Sequence, residues 1–182
     1  MLKEPSPNKE KFVATIEKAT PEDWQNYRDI IIEAFKNNPQ AFSEKQLEMV
    51  RNRIDKDWQK RFSKENDNSF AFLAKVNSET VGAFGARKTK KEGVWFSTSL
   101  YLSRKYKIDR FLVVRQMLKA VEDELKQRGG KKIFGYLKEG EGQDRIKNLY
   151  ERFGYKVNND PLFYEEGYTY LEKYISVDIA KK

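Results

Sequence analysis

The sequence of 182 residues predicts a mixed α/β fold of the α+β kind, with a mostly antiparallel central sheet and helices on both faces. Three β-rich runs, separated by short polar turns, follow one another between Phe70 and Leu102, as in an antiparallel meander. A long helical pattern then leads to another β-rich run, which makes a strand–helix–strand unit. Amphipathic patterns before and after this core predict helices that cover the sheet.

The first part of the chain predicts one strand and two helices. Phe12–Glu17 is rich in β-formers and alternates, which indicates a strand. Thr20 can cap the first helix, with a proline in its first turn, and this helix ends before an Asn-Asn-Pro sequence. Ser43 and Gln46 form a capping-box pattern that begins the second helix. That helix carries an apolar stripe, which consists of Leu47, Val50, Ile54 and Trp58.

The rest of the chain predicts alternating strands and helices. Phe70–Val76 and Thr80–Lys88 form a hairpin, and Gly93–Leu102 is a third antiparallel candidate. After a basic turn, apolar residues recur at helical spacing up to Gly129, which suits a helix C-terminus. The remaining predicted elements are a strand at Lys131–Leu137, a helix at Gln143–Phe153, and two late strands at Gly154–Val157 and Tyr168–Ile175.

The amino-acid composition excludes several kinds of catalytic and metal-binding site. The chain contains no cysteine and no histidine, so disulfides, thiolate metal sites, a cysteine nucleophile and the commonest general base are excluded, and we expect no metal. The net charge is +8, which is typical of a lysine-rich surface or of a protein with a polyanionic ligand. Residues 1–11 are polar and predict a flexible tail before a single domain at 12–182. Without a signal peptide or membrane span, we expect a cytoplasmic protein that does not bind membranes.

Four segments resemble the GNAT superfamily of N-acetyltransferases, over roughly Phe12 to Ile175. The sequence "PQAF" follows the first helix, "FLAKVNSETVGAFGARK" resembles the central hairpin, and "SLYLSRKYK" with the helix and strand after it resembles the core cofactor motif. The segment "QDRIKNLYERFGYKV" resembles the closing motif, and it is the most specific. Its residues Leu149, Tyr150 and Gly154 match in spacing, with Tyr155 in place of the usual phenylalanine.

The resemblance implies an acetyl-CoA-dependent transferase in which a primary amine attacks the thioester directly. It implies that the strand before the basic turn binds the pantetheine arm, that the turn and helix start bind the pyrophosphate, and that Tyr150 protonates the leaving thiolate. The implied contacts with acetyl-CoA are Leu100, Tyr101, Leu102, Lys107, Ile108, Asp109, Arg110, Phe111, Leu112 and Gln143. No acid stands out as the base, because Glu92, Glu139 and Glu141 are more simply interpreted as surface residues.

The basic turn departs from the family pattern. That pattern is usually Q/R-x-x-G-x-G/A, whereas the best match here is "KIDRFL", with Arg110 and Leu112 where small residues belong. We therefore expect the side chains of Lys107 and Arg110 to replace part of the missing backbone cradle.

Two functions stay open from the sequence. The first is an N-acetyltransferase whose acceptor amine belongs to a small molecule or a protein. The second is a non-catalytic GNAT-fold module that binds nucleic acid or a protein. Nucleic acid is the weaker alternative, because aromatic and basic residues do not alternate along a strand face. The sequence does not define the oligomeric state and is compatible with a homodimer.

Overall fold

The computed structural model describes residues 12–63, 66–98, 100–140, 142–159 and 166–175. The predicted tail at 1–11 and the candidate acid Glu141 lie outside these ranges. The extent of the domain, residues 12–182, therefore stays a prediction.

The described residues form the strands β1 (Thr15–Lys18), β2 (Ser69–Val76), β3 (Glu79–Lys88), β4 (Val94–Ser97), β5 (Tyr101–Leu102), β6 (Lys132–Lys138), β7 (Lys156–Val157) and β8 (Tyr168–Tyr174). These strands make one sheet at the centre of the fold, with the order β1-β2-β3-β4-β6-β8-β7, and β5 pairs with β3 beside β4. Among them, β4 and β6 are the parallel pair and the other pairs are antiparallel, which confirms the mixed sheet.

The α-helices of the described residues are α1 (Trp24–Asn37), α2 (Glu44–Arg51), α3 (Asp55–Arg61), α4 (Arg110–Gln127) and α5 (Gln143–Arg152). They cover both faces of the sheet, as predicted. Successive residues of a strand point to opposite faces, and accordingly Leu73 packs under α1 and α3 while Ala74 packs under α4. Leu149 and Tyr150 of α5, with Phe153 directly after it, pack against the cluster on the α4 face.

The predicted hairpin of β2 and β3 is confirmed, and its two-residue turn contains no glycine. Asn77 and Ser78 connect β2 to β3 with positive φ angles of 49° and 67°. A two-residue turn of this kind matches the twist of the flanking strands, and asparagine tolerates the left-handed region better than most residues.

The prediction of one helix from Ser43 to Trp58 is wrong. Ile54 has extended backbone and is 62% exposed, and it separates α2 from α3. Asp55 and Asp57 lie in the first turn of α3, where they interact favourably with the helix dipole. Because α3 begins anew, Trp58 is buried against Tyr27 of α1, with 6.1 Å between the ring centroids.

Two strand boundaries also differ from the predictions. The first strand covers Thr15–Lys18, whereas Phe12 makes an isolated bridge with Ile108 in the basic turn. The strand predicted at Gly93–Leu102 is divided into β4 and β5. This division separates β4, which pairs with β3 and β6, from β5, which among the described strands pairs with β3.

Candidate functional site

A wedge opens in the middle of the sheet, between β5 and β6. Val94–Phe96 pairs in parallel with Lys132–Phe134, but beyond that point β5 follows β3 while β6 continues along β8. At the narrow end of the wedge, a Cβ atom on Gly135 would overlap the hydroxyl of Ser97. Gly135 therefore permits the closest approach of the two strands, from which the wedge widens.

The edge of β5 that faces the wedge carries backbone groups that pair with no described strand. Ser103 donates its backbone N–H to Val81 of β3 at 2.7 Å, so the backbone of the preceding Leu102 is directed away from β3. The carbonyl of Leu102 accepts a hydrogen bond from Nη2 of Arg110 at 2.6 Å, and that of Ser103 accepts one from Nη1 at 2.7 Å. Partial burial and the nearby Arg104 lower the pKa of Arg110.

The basic turn is held by contacts with β3 and with the chain before β1. Glu79 accepts hydrogen bonds from Lys105 and from the Tyr106 hydroxyl, the latter at 2.6 Å. Phe12 donates its backbone N–H to the carbonyl of Lys107 at 3.0 Å. The side chain of Lys107 is exposed. Of the two residues expected to replace the missing backbone cradle, Arg110 therefore contacts the edge of β5, while Lys107 is accessible to an anionic ligand.

The basic turn begins α4 without a glycine. Asp109 is the N-cap of α4, and its carboxylate accepts the backbone N–H of Leu112 at 3.0 Å. Among the described residues, the non-glycine residues with positive φ are Asn77 and Ser78, which lie in the distant hairpin. The backbone of the turn thus adopts conformations open to any residue, and glycine is not required there.

The apolar residues predicted near acetyl-CoA fall into two groups. Leu100 and Ile108 belong to the core beneath α4. Phe111 and Leu112, in the first turn of α4, are about half exposed at 49% and 47%. The Phe111 ring stacks on Phe153, the residue directly after α5, with the centroids 5.5 Å apart. This contact joins the start of α4 to the helix that carries Tyr150.

Tyr150 lies on α5 and packs against the core beside β6. Its ring makes an edge contact with Tyr155, with 5.0 Å between centroids. Burial raises the pKa of Tyr150 well above its usual value of 10.0. The phenol therefore stays protonated at neutral pH, which is the form that can donate a proton.

Gln143 begins α5 and borders a small cavity of about 220 Å³ that also contacts Leu137, Glu139 and Thr169. Its Oε1 atom is buried without a hydrogen-bond partner among the described residues. The Thr98 hydroxyl, directly after β4, is in the same state. Such polar atoms are rare in folded proteins and are explained when a ligand or water supplies the missing hydrogen bond.

A carboxylate that the sequence analysis missed faces β5 from α1. Glu33 accepts a hydrogen bond from the hydroxyl of Tyr101 at 2.9 Å, and Asn37 donates one to the same hydroxyl at 3.0 Å. Glu33 precedes the inward residue Ala34, so the phase of α1 could have indicated its position. Burial, opposed by the Asn37 contact, raises the pKa of Tyr101.

An aromatic cluster lies on the α2 side of the wedge. The Tyr136 hydroxyl accepts a hydrogen bond from Nε2 of Gln46 at 2.8 Å, which ties α2 to β6. Lys138 donates to the carbonyl of Phe42 at 3.1 Å. The rings of this cluster are within 6.1 Å of one another along the contacts of Phe96, Phe134, Tyr136, Tyr168 and Tyr170.

The remaining candidate acids do not face the wedge in a common arrangement. Glu92 is exposed before β4, and Glu139 is exposed at the small cavity beside Gln143. Within the described ranges, no three acidic residues are grouped so that they could hold a metal ion. No helix in those ranges combines the length and apolarity that crossing a membrane requires.

The fold places the capped helix start beside the end of β5, and the contact of Phe111 with Phe153 joins it to the closing motif. The family model of the acetyltransferase (GNAT) family matches residues 24–155. The chain belongs to this family. A search of curated protein sequences finds no significant match.

Solved structures share the GNAT fold at low sequence identity. The PaiA N-acetyltransferase of Thermoplasma acidophilum, in complex with coenzyme A, is 18% identical with a TM-score of 0.70, over 89% of this chain and 99% of that one. A GNAT-family acetyltransferase of Staphylococcus aureus Mu50 is 12% identical with a TM-score of 0.66, over 90% and 100%. The aminoglycoside 6'-N-acetyltransferase of Enterococcus faecium is 15% identical with a TM-score of 0.64, over 89% and 97%.

Proposed function

We propose that this GNAT protein is an N-acetyltransferase that moves the acetyl group of acetyl-CoA to a primary amine on a small molecule or a protein. The observation that carries the proposal is the wedge between β5 and β6, with an edge of β5 that pairs with no described strand. An extended ligand with amide groups can add to such an edge through backbone hydrogen bonds. The pantetheine arm of acetyl-CoA is a ligand of this kind.

The residues around the wedge fit acetyl-CoA. Leu102 and its neighbours would hold the pantetheine arm, and the Thr98 hydroxyl, which has no described partner, lies where β4 ends. The start of α4 offers backbone N–H groups and the positive end of the helix dipole to the pyrophosphate, with Lys107 exposed beside it. The complex of the Thermoplasma PaiA enzyme with coenzyme A supports this ligand class.

The proposed reaction needs little from the protein beyond positioning and one proton. The amine nitrogen forms a bond with the thioester carbonyl carbon, the carbon–sulfur bond breaks, and Tyr150 gives its proton to the departing sulfur. The amine loses one proton to water before it attacks and a second as the amide forms, since the chain has no histidine and its acids form no obvious base. The Tyr150 phenolate regains its proton from water. Glu33 and the aromatic cluster lie on the α1–α3 face, where they would attract and surround a cationic amine before it is deprotonated.

The first test is a titration with acetyl-CoA monitored by thermal unfolding. Acetyl-CoA at 100 times its dissociation constant is expected to stabilise the fold by about 2.7 kcal/mol, because it binds only the native state. Pantetheine, which has no phosphate group, is the control. Its effect should be weaker because it lacks the pyrophosphate. An unchanged melting temperature at millimolar acetyl-CoA would contradict the proposal.

Charge reversal in the basic turn tests how the pyrophosphate is held. Lys107→Glu is expected to weaken acetyl-CoA binding about tenfold, because an exposed cation near a diphosphate becomes an anion. The effect should shrink at high salt. Lys45→Glu, at an exposed residue of α2, makes the same change in net charge on another element and should leave affinity unchanged. Equal affinities of the two variants would remove Lys107 from the site.

A non-catalytic binding role is the second candidate, and the position of Arg110 favours it. Its guanidinium group donates to the carbonyls of Leu102 and Ser103, so it occupies part of the edge that pantetheine would use. If this contact persists in solution, Arg110→Gln should increase acetyl-CoA affinity by freeing the edge. If Arg110 instead moves to the pyrophosphate, the same substitution should decrease affinity.

A further inference from the structure

A second cavity, of about 560 Å³ and largely open to the surface, lies between α2, α3 and the loop before β2. Three basic side chains line it together with a single carboxylate: Arg53, Lys60, Arg61 and Asp57. These residues are outside the wedge between β5 and β6, and the proposed acetyl transfer does not use them. The excess of positive charge indicates a site that attracts anions.

Arg61 is the residue that sets this cavity apart from an ordinary basic surface. Its Nε and Nη2 atoms are buried, and neither has a hydrogen-bond partner in the part of the chain that the structure describes. By contrast, its backbone carbonyl accepts a hydrogen bond from Nδ2 of Asn66 at 2.8 Å. Buried donors of a charged group are costly when unpaired, so a missing partner with acceptor oxygens is the simplest explanation.

Aromatic rings hold the two arginines side by side. The guanidinium carbon of Arg61 lies 4.8 Å from the ring centroid of Tyr27, and that of Arg53 lies 4.6 Å from the ring centroid of Trp58. The two rings are in edge contact with each other. Cation–π contacts of this kind fix the guanidinium planes without using their N–H groups as hydrogen-bond donors.

The electrostatics of Arg53 agree with this geometry. Partial burial and the charge of Arg61 lower its pKa, and Arg87 of β3 adds to the effect, whereas Asp57 opposes it. Positively charged side chains thus lie close together where they are partly shielded from water, and Asp57 offsets only part of their repulsion. A bound anion would relieve this repulsion and supply acceptors at the same time.

We propose that this cavity is an anion-binding site in which Arg53 and Arg61 hold a phosphate or carboxylate group. Both groups match the forked donor geometry of arginine. Lys60 adds a third positive charge, while the carboxylate of Asp57 reduces the attraction. The site is separate from the wedge, and the inference does not depend on the proposed acetyl transfer.

The test uses the full chain, with inorganic phosphate and succinate as probes, each titrated at constant ionic strength maintained with sodium chloride. Wild-type protein is expected to bind at least one probe saturably in calorimetry and to melt at a higher temperature. Arg53→Gln and Arg61→Gln should each weaken binding at least tenfold. Arg51→Gln, an exposed arginine at the end of α2, is the matched control and should bind as the wild type does.

A variant that is expected to bind anions more strongly keeps the test decisive if loss of an arginine harms folding. Asp57→Asn removes the competing carboxylate and should increase affinity severalfold. Stronger binding of phosphate would assign a phosphoryl ligand, and stronger binding of succinate a carboxylate. The proposal is overturned if neither probe saturates, or if Asp57→Asn, Arg53→Gln and Arg51→Gln all bind equally.

Discussion

Replacing Tyr150 with phenylalanine is expected to lower kcat for acetyl transfer by about 10²- to 10⁴-fold, the usual contribution of a positioned general acid. The dissociation constant of acetyl-CoA should hardly change, because the ring and its packing are kept. A tyrosine whose pKa is at or above its usual value of 10.0 carries its proton at neutral pH, and the Tyr150 phenol can give this proton to the sulfur that leaves. Rates are measured under saturating substrate, with affinity measured separately.

Tyr155 provides a matched control for this experiment. Its ring contacts that of Tyr150, and its hydroxyl is buried without a hydrogen-bond partner among the described residues. Tyr155→Phe removes the same atom nearby and should leave kcat unchanged. Similar rates for the Tyr150→Phe variant and the wild type would remove Tyr150 from the acid role.

The same pKa shift predicts the alkaline side of the pH–rate profile. Since the pKa of Tyr150 is raised above 10.0, the acid is present throughout the neutral range and should be lost only above the ordinary tyrosine pKa. A fall in kcat between pH 7 and pH 9 that persists in Tyr150→Phe must therefore arise from another group.

Replacing Gly135 with alanine is expected to destabilise the protein by about 1–3 kcal/mol, the usual cost of overpacking a tight contact. The added Cβ would overlap the hydroxyl of Ser97 at the narrow end of the wedge. To avoid the overlap, the Ser97 side chain must rotate or β4 and β6 must shift apart, and a shift of the strands should also weaken acetyl-CoA binding. Denaturant unfolding measures the first effect and calorimetry the second.

A double substitution isolates this contact. Without the Ser97 hydroxyl, the nearest atom to the new Cβ would be the Ser97 Cβ at 3.5 Å, which is ordinary van der Waals contact. Ser97→Ala combined with Gly135→Ala should therefore recover most of the lost stability, and the double-mutant cycle should show strong coupling. Additive effects would mean that the strands do not meet at this point as described.

Most of the fold followed from local patterns. The meander, the strand–helix–strand unit and the order of the later elements were predicted because alternation and helical spacing report which residues are buried. The break at Ile54 was missed because Ile54 continues the apolar spacing of α2, although it is exposed. Burial of Trp58 against Tyr27 decides that break, and this contact joins residues far apart in the sequence.

In the candidate site, too, local patterns predicted some features, whereas contacts between distant residues determined others. The closing motif places Tyr150 by spacing alone, and the motif comparison assigns the basic turn to the helix start. The direction of Arg110 toward the edge of β5 could not be predicted, since it depends on where β5 ends relative to α4. Glu33, Thr98 and the arginine cavity were also missed, because their environments are assembled from separate elements.

The sequence by itself determined the fold class, the family and the exclusion of cysteine and histidine chemistry, because periodicity, motif spacing and composition are properties of the chain. The tertiary structure decided how the glycine-free turn works. Asp109 caps α4, Glu79 anchors the turn, and no residue there needs a positive φ angle. These contacts join β3, the turn and α4, so only the packed fold brings their partners within hydrogen-bonding distance.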